Sequence, residues 1–271
     1  MIKYFVTDLD STFLRVDKSI PEENIEAIKE ARDADINVII SSGRSNMSLD
    51  IFAKNLGLDY EGNYIIAYNG CRIYEAKSKK VLTENLLDGE TARAVAGIVC
   101  KRVPNTLCYA DSKLYTQNIT PITKRYAFNS SLILNQVDDL RDVMTGDIQK
   151  IIMIGDHNDL YKAYEEVIEK LGKDINAETY FSSVDLFEFA AKGKSKGTAI
   201  KELAEILGEP LSAFAAIGDN ENDIEMIEAA GFGIAVANAI DGCKEKADYV
   251  TELDCDNGGF AEGLRYVIRK R

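Results

Sequence analysis

Short apolar runs recur along the first seventy residues, each closed by a polar cluster, with amphipathic stretches between them. Residues 2–7 are apolar and β-rich, and residues 36–40 and 64–67 repeat the pattern. Pro21-Glu22-Glu23 opens a helix in the preferred way, with proline and acids in its first turn, and Ile25, Ile28 and Ala31 share one face of it. A second helix runs through 49–56 and stops at Gly57. This βαβαβ rhythm predicts a parallel sheet covered by helices. From about Thr83 the rhythm changes. A helix over 90–102 precedes two short strands, 106–110 and 113–116, split by the tight turn Asp111-Ser112, which reads as an antiparallel hairpin. A strand at 150–154, a helix at 160–171 and strands near 179–181 and 186–189 continue an α+β pattern. After Lys192 the α/β alternation returns: helix 198–207, strand 214–217, helix 224–230, strand 232–236. The expected architecture is an α/β parallel-sheet core from residues 1–82 and 189–271, interrupted by an inserted α+β domain at 83–188.

At 271 residues the chain is longer than most single cores, which agrees with two domains. A net charge of -13 argues against nucleic acid or an anionic membrane as the partner, since both need a basic surface. The five cysteines are odd in number and form no CxxC pair, so they read as reduced thiols. The opening residues do not read as a signal peptide, and no run approaches the roughly 18 apolar residues of a membrane span. The expected location is the cytoplasm.

Candidate chemistry sits in four segments. Asp8-Leu9-Asp10-Ser11-Thr12 follows the first strand. In an extended segment positions i and i+2 point to one side, which directs both carboxylates to one place. Acids that close raise each other's proton affinity unless a cation lies between them, and a hard divalent ion, Mg2+ above all, meets that need. The plainer alternative is a solvated acidic turn. Ser42-Gly43-Arg44 ends the second strand and offers a hydroxyl to an anion, or a helix N-cap, or both. Gly193-Lys194-Ser195 looks like the end of a P-loop, but that pattern requires glycine at 188, where the chain has Glu188. Lys196 instead precedes a helix, as a phosphate-neutralising amine or as part of a basic turn.

Gly218-Asp219-Asn220-Glu221-Asn222-Asp223 is the most specific segment, since Asp219 leaves a strand and Asp223 faces it four residues on. Gly155-Asp156-His157-Asn158-Asp159 imitates it within the insert and holds the only histidine; it reads as a helix-capping loop. One histidine cannot build a histidine-rich zinc site. Two carboxylates, a hydroxyl, a lysine and a second acidic pair suit magnesium-assisted phosphoryl transfer through an aspartyl-phosphate.

In this order and over essentially the whole length, the segments resemble the motifs of haloacid dehalogenase superfamily phosphatases of the Cof-type branch. Asn69-Gly70 and Ser195-Lys196-Gly197-Thr198 also resemble that branch. The chain departs from it at Ser11, where glycine is usual, and at Ser42, where threonine is commoner. The first departure removes backbone freedom beside the nucleophile. The resemblance implies a Rossmann-like core with a large inserted cap that covers the site and chooses the substrate. It implies Asp8 as nucleophile and Asp10 as general acid and base. Mg2+ would be held by the Asp8 carboxylate, the Asp10 backbone carbonyl and Asp219, with Asp223 in support. Leu9, Ser42, Gly43, Lys196 and Asn222 would bind the phosphoryl oxygens. The implied partner is a small phosphorylated metabolite, sugar phosphates first. Two rivals share parts of this inventory. A phosphomutase would use the same core, and product analysis in water separates it. A signalling receiver module needs neither an acid two residues after the nucleophile nor a large cap.

Overall fold

In the computed structural model, which describes residues 1–270, β1 (Tyr4–Thr7) buries Phe5 and Val6 completely. The chain continues through α1 (Glu22–Asp33), β2 (Asn37–Ser41), α2 (Asn46–Asn55), β3 (Tyr64–Ala67), a 3-10 turn at Tyr68–Gly70, β4 (Arg72–Glu75) and β5 (Val81–Glu84). Next come α3 (Gly89–Val99), β6 (Thr106–Ala110), β7 (Lys113–Thr116), α4 (Pro121–Asn129), β8 (Leu134–Gln136), β9 (Lys150–Ile154), α5 (His157–Leu171), β10 (Glu178–Ser183) and β11 (Leu186–Ala190). The last part holds α6 (Lys196–Leu207), β12 (Phe214–Gly218), α7 (Glu221–Ala229), β13 (Phe232–Ala235), α8 (Asp241–Lys246), β14 (Tyr249–Val250) and α9 (Gly259–Arg269). Two units result: Met1–Glu84 with the chain from Lys194 onward, and Asn85–Gly193.

The first unit is built on an eight-stranded sheet ordered β14-β13-β12-β1-β2-β3-β4-β5. Pairing is parallel from β14 to β3 and antiparallel across β3, β4 and β5. From β1 the sheet grows one way to β2 and the other way to β12, whose register runs Tyr4↔Phe214 to Thr7↔Ile217. The ladder continues one step further, with the Asp8 amide donating to the Ile217 carbonyl at 3.1 Å. A crevice outside the carboxyl ends of strands at such a reversal is where open α/β sheets bind ligands. Ile200 and Leu203 of α6 pack on Val6, Ile39, Phe214 and Ala216 on one face. Phe260 of α9 meets Phe5 and Phe13 edge-on, with centroids 5.7 and 4.8 Å away, and so braces the loop that follows β1.

The face of α1 differs from expectation. Ile25 is exposed, and the buried side is Asn24, Ala27, Ile28 and Ala31. Asn24 belongs there because its amide is bonded at both ends: Nδ2 donates to the Phe13 carbonyl at 2.8 Å and Oδ1 accepts from the Ala261 amide at 3.2 Å.

In the second unit a six-stranded sheet runs β10-β11-β9-β6-β7-β8, antiparallel except for β7 with β8. Asp111 and Ser112 form the two-residue hairpin turn with φ of 48 and 56, as right-twisted strands favour. Val95, Val99, Leu160 and Val167 of α3 and α5 pack with Cys108, Ile151, Met153, Phe187 and Phe189 of the sheet. Strand alternation turns Lys150 and Glu188 the other way, where they pair at 2.8 Å although both are buried, and the Tyr180 hydroxyl donates to the same Glu188 oxygen. Asp156 caps α5 by accepting from the Asn158 amide, and His157 stacks on Phe181. Among the described residues no helix is long and apolar enough to cross a membrane.

Candidate active site

Lys196 is the first residue of α6 and is completely buried, an extreme position for an ammonium. A capping box between Ser195 and Thr198 sets the helix start that places it there. Its Nζ donates to Asp8 Oδ1 and Asp223 Oδ1, both at 2.6 Å. Asp223 arrives from the first turn of α7, and its other oxygen accepts from the Asp219 and Asn220 amides at 3.0 and 3.2 Å. This fold-back requires Gly218, because a Cβ there would lie 2.4 Å from the Asp223 Cβ. Asp219 Oδ1 accepts from the Thr12 hydroxyl at 2.6 Å. Asp8, Asp219 and Asp223 thereby bring one oxygen each to within 4.8 Å of one another.

Burial pushes the Asp8 carboxyl well above the usual carboxylate range; Lys196 opposes this, while Asp223, Asp219 and Asp10 add to it. Asp219 is pushed up to about 6, first by burial and then by Asp223, against the Thr12 hydrogen bond. Burial works against the Lys196 charge, but Asp223 and Asp8 outweigh it and hold the ammonium protonated. With all three carboxylates ionised, one lysine would leave negative charge uncompensated in this buried site, which is why the shifts run upward. A hard divalent cation balances such an all-oxygen set, and Mg2+ fits it, since neither sulfur nor imidazole contributes.

The carboxylate of Asp10 lies outside this group of three. Arg44 Nε donates to its Oδ2 at 2.9 Å, while Arg44 Nη2 and Lys18 Nζ donate to Oδ1 at 2.6 and 2.9 Å. Burial tends to raise this carboxyl, but the Arg44 and Lys18 contacts prevail and hold it down to about 2. Arg44 was not assigned a role by the sequence, though it stands in the Ser42-Gly43-Arg44 segment.

Ser42 is buried, but it does not cap α2; Ser45 does, accepting from the Ser48 amide. The Ser42 hydroxyl accepts from the Arg44 amide at 3.3 Å. The Leu9 carbonyl accepts from the Phe13 and Leu14 amides, which closes the loop after β1. Asn222 Nδ2 donates to Asn69 Oδ1 at 3.1 Å. Ser11 adopts the left-handed conformation with φ of 63, and the Asn238 side chain donates to its carbonyl at 2.9 Å. The loop thus keeps a glycine-like backbone without glycine, at a cost of roughly 1–2 kcal/mol.

Over residues 5–264 the chain matches the family described as haloacid dehalogenase-like hydrolase. It is 30% identical over 272 residues to the 5-amino-6-(5-phospho-D-ribitylamino)uracil phosphatase YcsE of Bacillus subtilis (strain 168), spanning 98% of this chain and 96% of that relative. A haloacid dehalogenase-like hydrolase from Bacteroides thetaiotaomicron superposes with a TM-score of 0.91 at 28% identity, over 98% of this chain and 100% of the other. TM0651 from Thermotoga maritima gives 0.87 at 27% identity, over 98% and 97%. On this match, which takes in both flanks of the insert and every segment of the site, the chain belongs to the haloacid dehalogenase-like hydrolase family.

Proposed function

We propose that this protein is a Mg2+-dependent phosphatase that hydrolyses small phosphomonoesters through a phosphorylated Asp8. The observation that carries the reading is the buried Lys196 clasped between Asp8 and Asp223, with Asp219 beside them. Asp8 attacks phosphorus, forming an acyl-phosphate as the ester P–O bond breaks. Asp10 protonates the departing alkoxide, then takes a proton from the water that attacks the acyl-phosphate, and the Asp8 carboxylate is regenerated. Arg44 and Lys18 hold Asp10 ionised in the free protein; it takes one proton from solvent before it first acts as an acid, and the proton it then takes from the attacking water restores the acid for the next turnover. The Lys196 amine, the Ser42 hydroxyl, the Leu9 and Gly43 backbone and the Asn222 amide hold the phosphoryl oxygens. Asp8, Asp219 and Asp223, with the Asp10 carbonyl, would hold Mg2+, which supplies charge neutralisation for a dianionic ester. Support for a phosphorylated sugar or polyol comes from YcsE and from YwtE of the same organism, 30% identical over 286 residues, both named for a phospho-ribityl compound.

Phosphate release from a panel of phosphomonoesters should require Mg2+, vanish with EDTA and return when Mg2+ is restored. Thermal unfolding provides a second readout. Carboxyls raised in the folded state, as Asp8 and Asp219 are, contribute stability below their ordinary value and lose it as pH rises through the folded one. Because Mg2+ binds the ionised forms, its stabilising shift in Tm should be small near about pH 4.5 and grow toward about pH 7.5. Full turnover in metal-free buffer, with no Mg2+-dependent shift at any pH, would defeat the metal assignment.

Choice among esters we assign to the inserted unit, whose sheet holds the buried Lys150–Glu188 pair with Tyr180 bonded to it. A buried ion pair stabilises a small domain poorly, so we assign the pair a role in substrate choice rather than in stability alone. Glu188→Gln should reorder kcat/KM across the panel and leave Mg2+ dependence intact. Uniform scaling of every ester by one factor would reduce the pair to a structural role.

A further inference from the structure

The turn at Tyr68–Gly70 ties together three loops of the site, though none of the roles above uses it. Tyr68 and Asn69 both have φ of 53 and Gly70 has 98, a left-handed run that is costly for the two residues with side chains. Backbone bonds hold it: the Tyr68 amide donates to the Arg44 carbonyl at 3.1 Å and the Asn69 amide to the Ser42 carbonyl at 3.0 Å. The turn therefore clasps Ser42-Gly43-Arg44 from both ends. Gly70 lies so near the start of α6 that a Cβ there would come 2.2 Å from the Ser195 carbonyl oxygen, beside Lys196.

At the centre stands the Asn69 side chain. Its Oδ1 accepts from Asn222 Nδ2 at 3.1 Å. A Cβ placed on Gly43 would meet the same side-chain amide at 3.0 to 3.3 Å, so Asn69 lies directly against that glycine. The Asn222 amide nitrogen carries two hydrogens. Giving one to Asn69 fixes the rotation of the amide and leaves the second N–H for another acceptor.

Building on the phosphatase reading above, we propose that Asn69 is a positioning residue for the transferring phosphoryl group. By accepting one N–H of Asn222 it aims the other at a phosphoryl oxygen, and by packing on Gly43 it keeps that backbone at the site. The plainer account is that asparagine stands here only because it tolerates the left-handed backbone. The two accounts separate at Asn69→Gly, which keeps the backbone freedom and removes the side chain.

Asn69→Gly, Asn222→Ala and the double variant are compared with the parent on para-nitrophenyl phosphate with Mg2+, with orthovanadate as inhibitor and Tm as a control on folding. Each single variant should lower kcat/KM and weaken orthovanadate inhibition by about tenfold or more, as the loss of one phosphoryl contact does. The double variant should fall little below Asn222→Ala, because residues that act through one contact are not additive. Asn69→Ser, too short to reach Asn222 and in a conformation that Ser11 already adopts, gives the same readout if glycine loosens the turn. Parental kcat/KM and orthovanadate inhibition in Asn69→Gly or Asn69→Ser, or losses that multiply in the double variant, would overturn the proposal. A parent that releases no phosphate would instead remove the phosphatase reading on which it rests.

Discussion

Asp8→Asn is expected to abolish turnover of every phosphomonoester, by at least about 10⁴-fold in kcat, because an amide does not form an acyl-phosphate. The fold should survive the change. Burial already resists the charge on Asp8, and an asparagine oxygen at the same place still accepts from Lys196. Metal-free Asp8→Asn should therefore unfold at a Tm equal to or above that of the parent, the usual sign of a site in which function opposes stability. Steady-state rates and thermal melts on the same preparation check both halves. Residual turnover near the parental rate would place the nucleophile elsewhere.

Lys196→Met is expected to damage both properties at once. The methionine fills the slot but leaves Asp8 and Asp223 facing each other without their shared cation, 2.6 Å from where the ammonium stood. Removing one partner from a buried ionic group costs about 3–5 kcal/mol. For a protein of this size that lowers Tm by about 10 °C, and the lost phosphoryl contact takes roughly 10²–10³ from kcat. Lys196→Arg should not rescue it, because a planar guanidinium does not fit a fully enclosed ammonium site. Calorimetry with a rate measurement decides the matter; a variant with parental Tm would mean that Lys196 is not the keystone between the two acids.

The contrast between Lys196 and Asn69 indicates what a sequence displays of such a site. Asp8, Asp219 and Asp223 follow or adjoin apolar strands, so polarity at a strand end marks them even without tertiary knowledge. Lys196 was legible in the same way as the residue opening a helix, but its burial was not, because both carboxylates that hold it come from other segments. Asp10 was expected near Asp8, but Arg44 and Lys18, which bond its carboxylate, follow no spacing rule that relates them to it. Ile25 was placed inside on helical spacing, while Asn24 took the buried place because partners at Phe13 and Ala261 satisfy it. Strands β4 and β5 went unread because each holds only two adjacent apolar residues between polar or charged ones, too few to form an apolar run. Helix α4 was missed despite a readable start, Thr120-Pro121 with a capping box to Thr123. Central parallel strands announce themselves by hydrophobicity, whereas edges and long-range polar partners depend on neighbours distant in the chain.

Passage of the phosphoryl group through Asp8 is read most directly in Asp10→Asn turning over para-nitrophenyl phosphate. That leaving group departs with little need of an acid, but water attack on the acyl-phosphate then lacks its base, so the intermediate accumulates. Rapid acid quench and borohydride reduction convert an aspartyl-phosphate to homoserine, which peptide mass spectrometry locates. A burst of about one para-nitrophenol per active site, with homoserine at position 8 and at no other aspartate, is the expected result. Linear product release with an unmodified Asp8, or homoserine at another position, would contradict it.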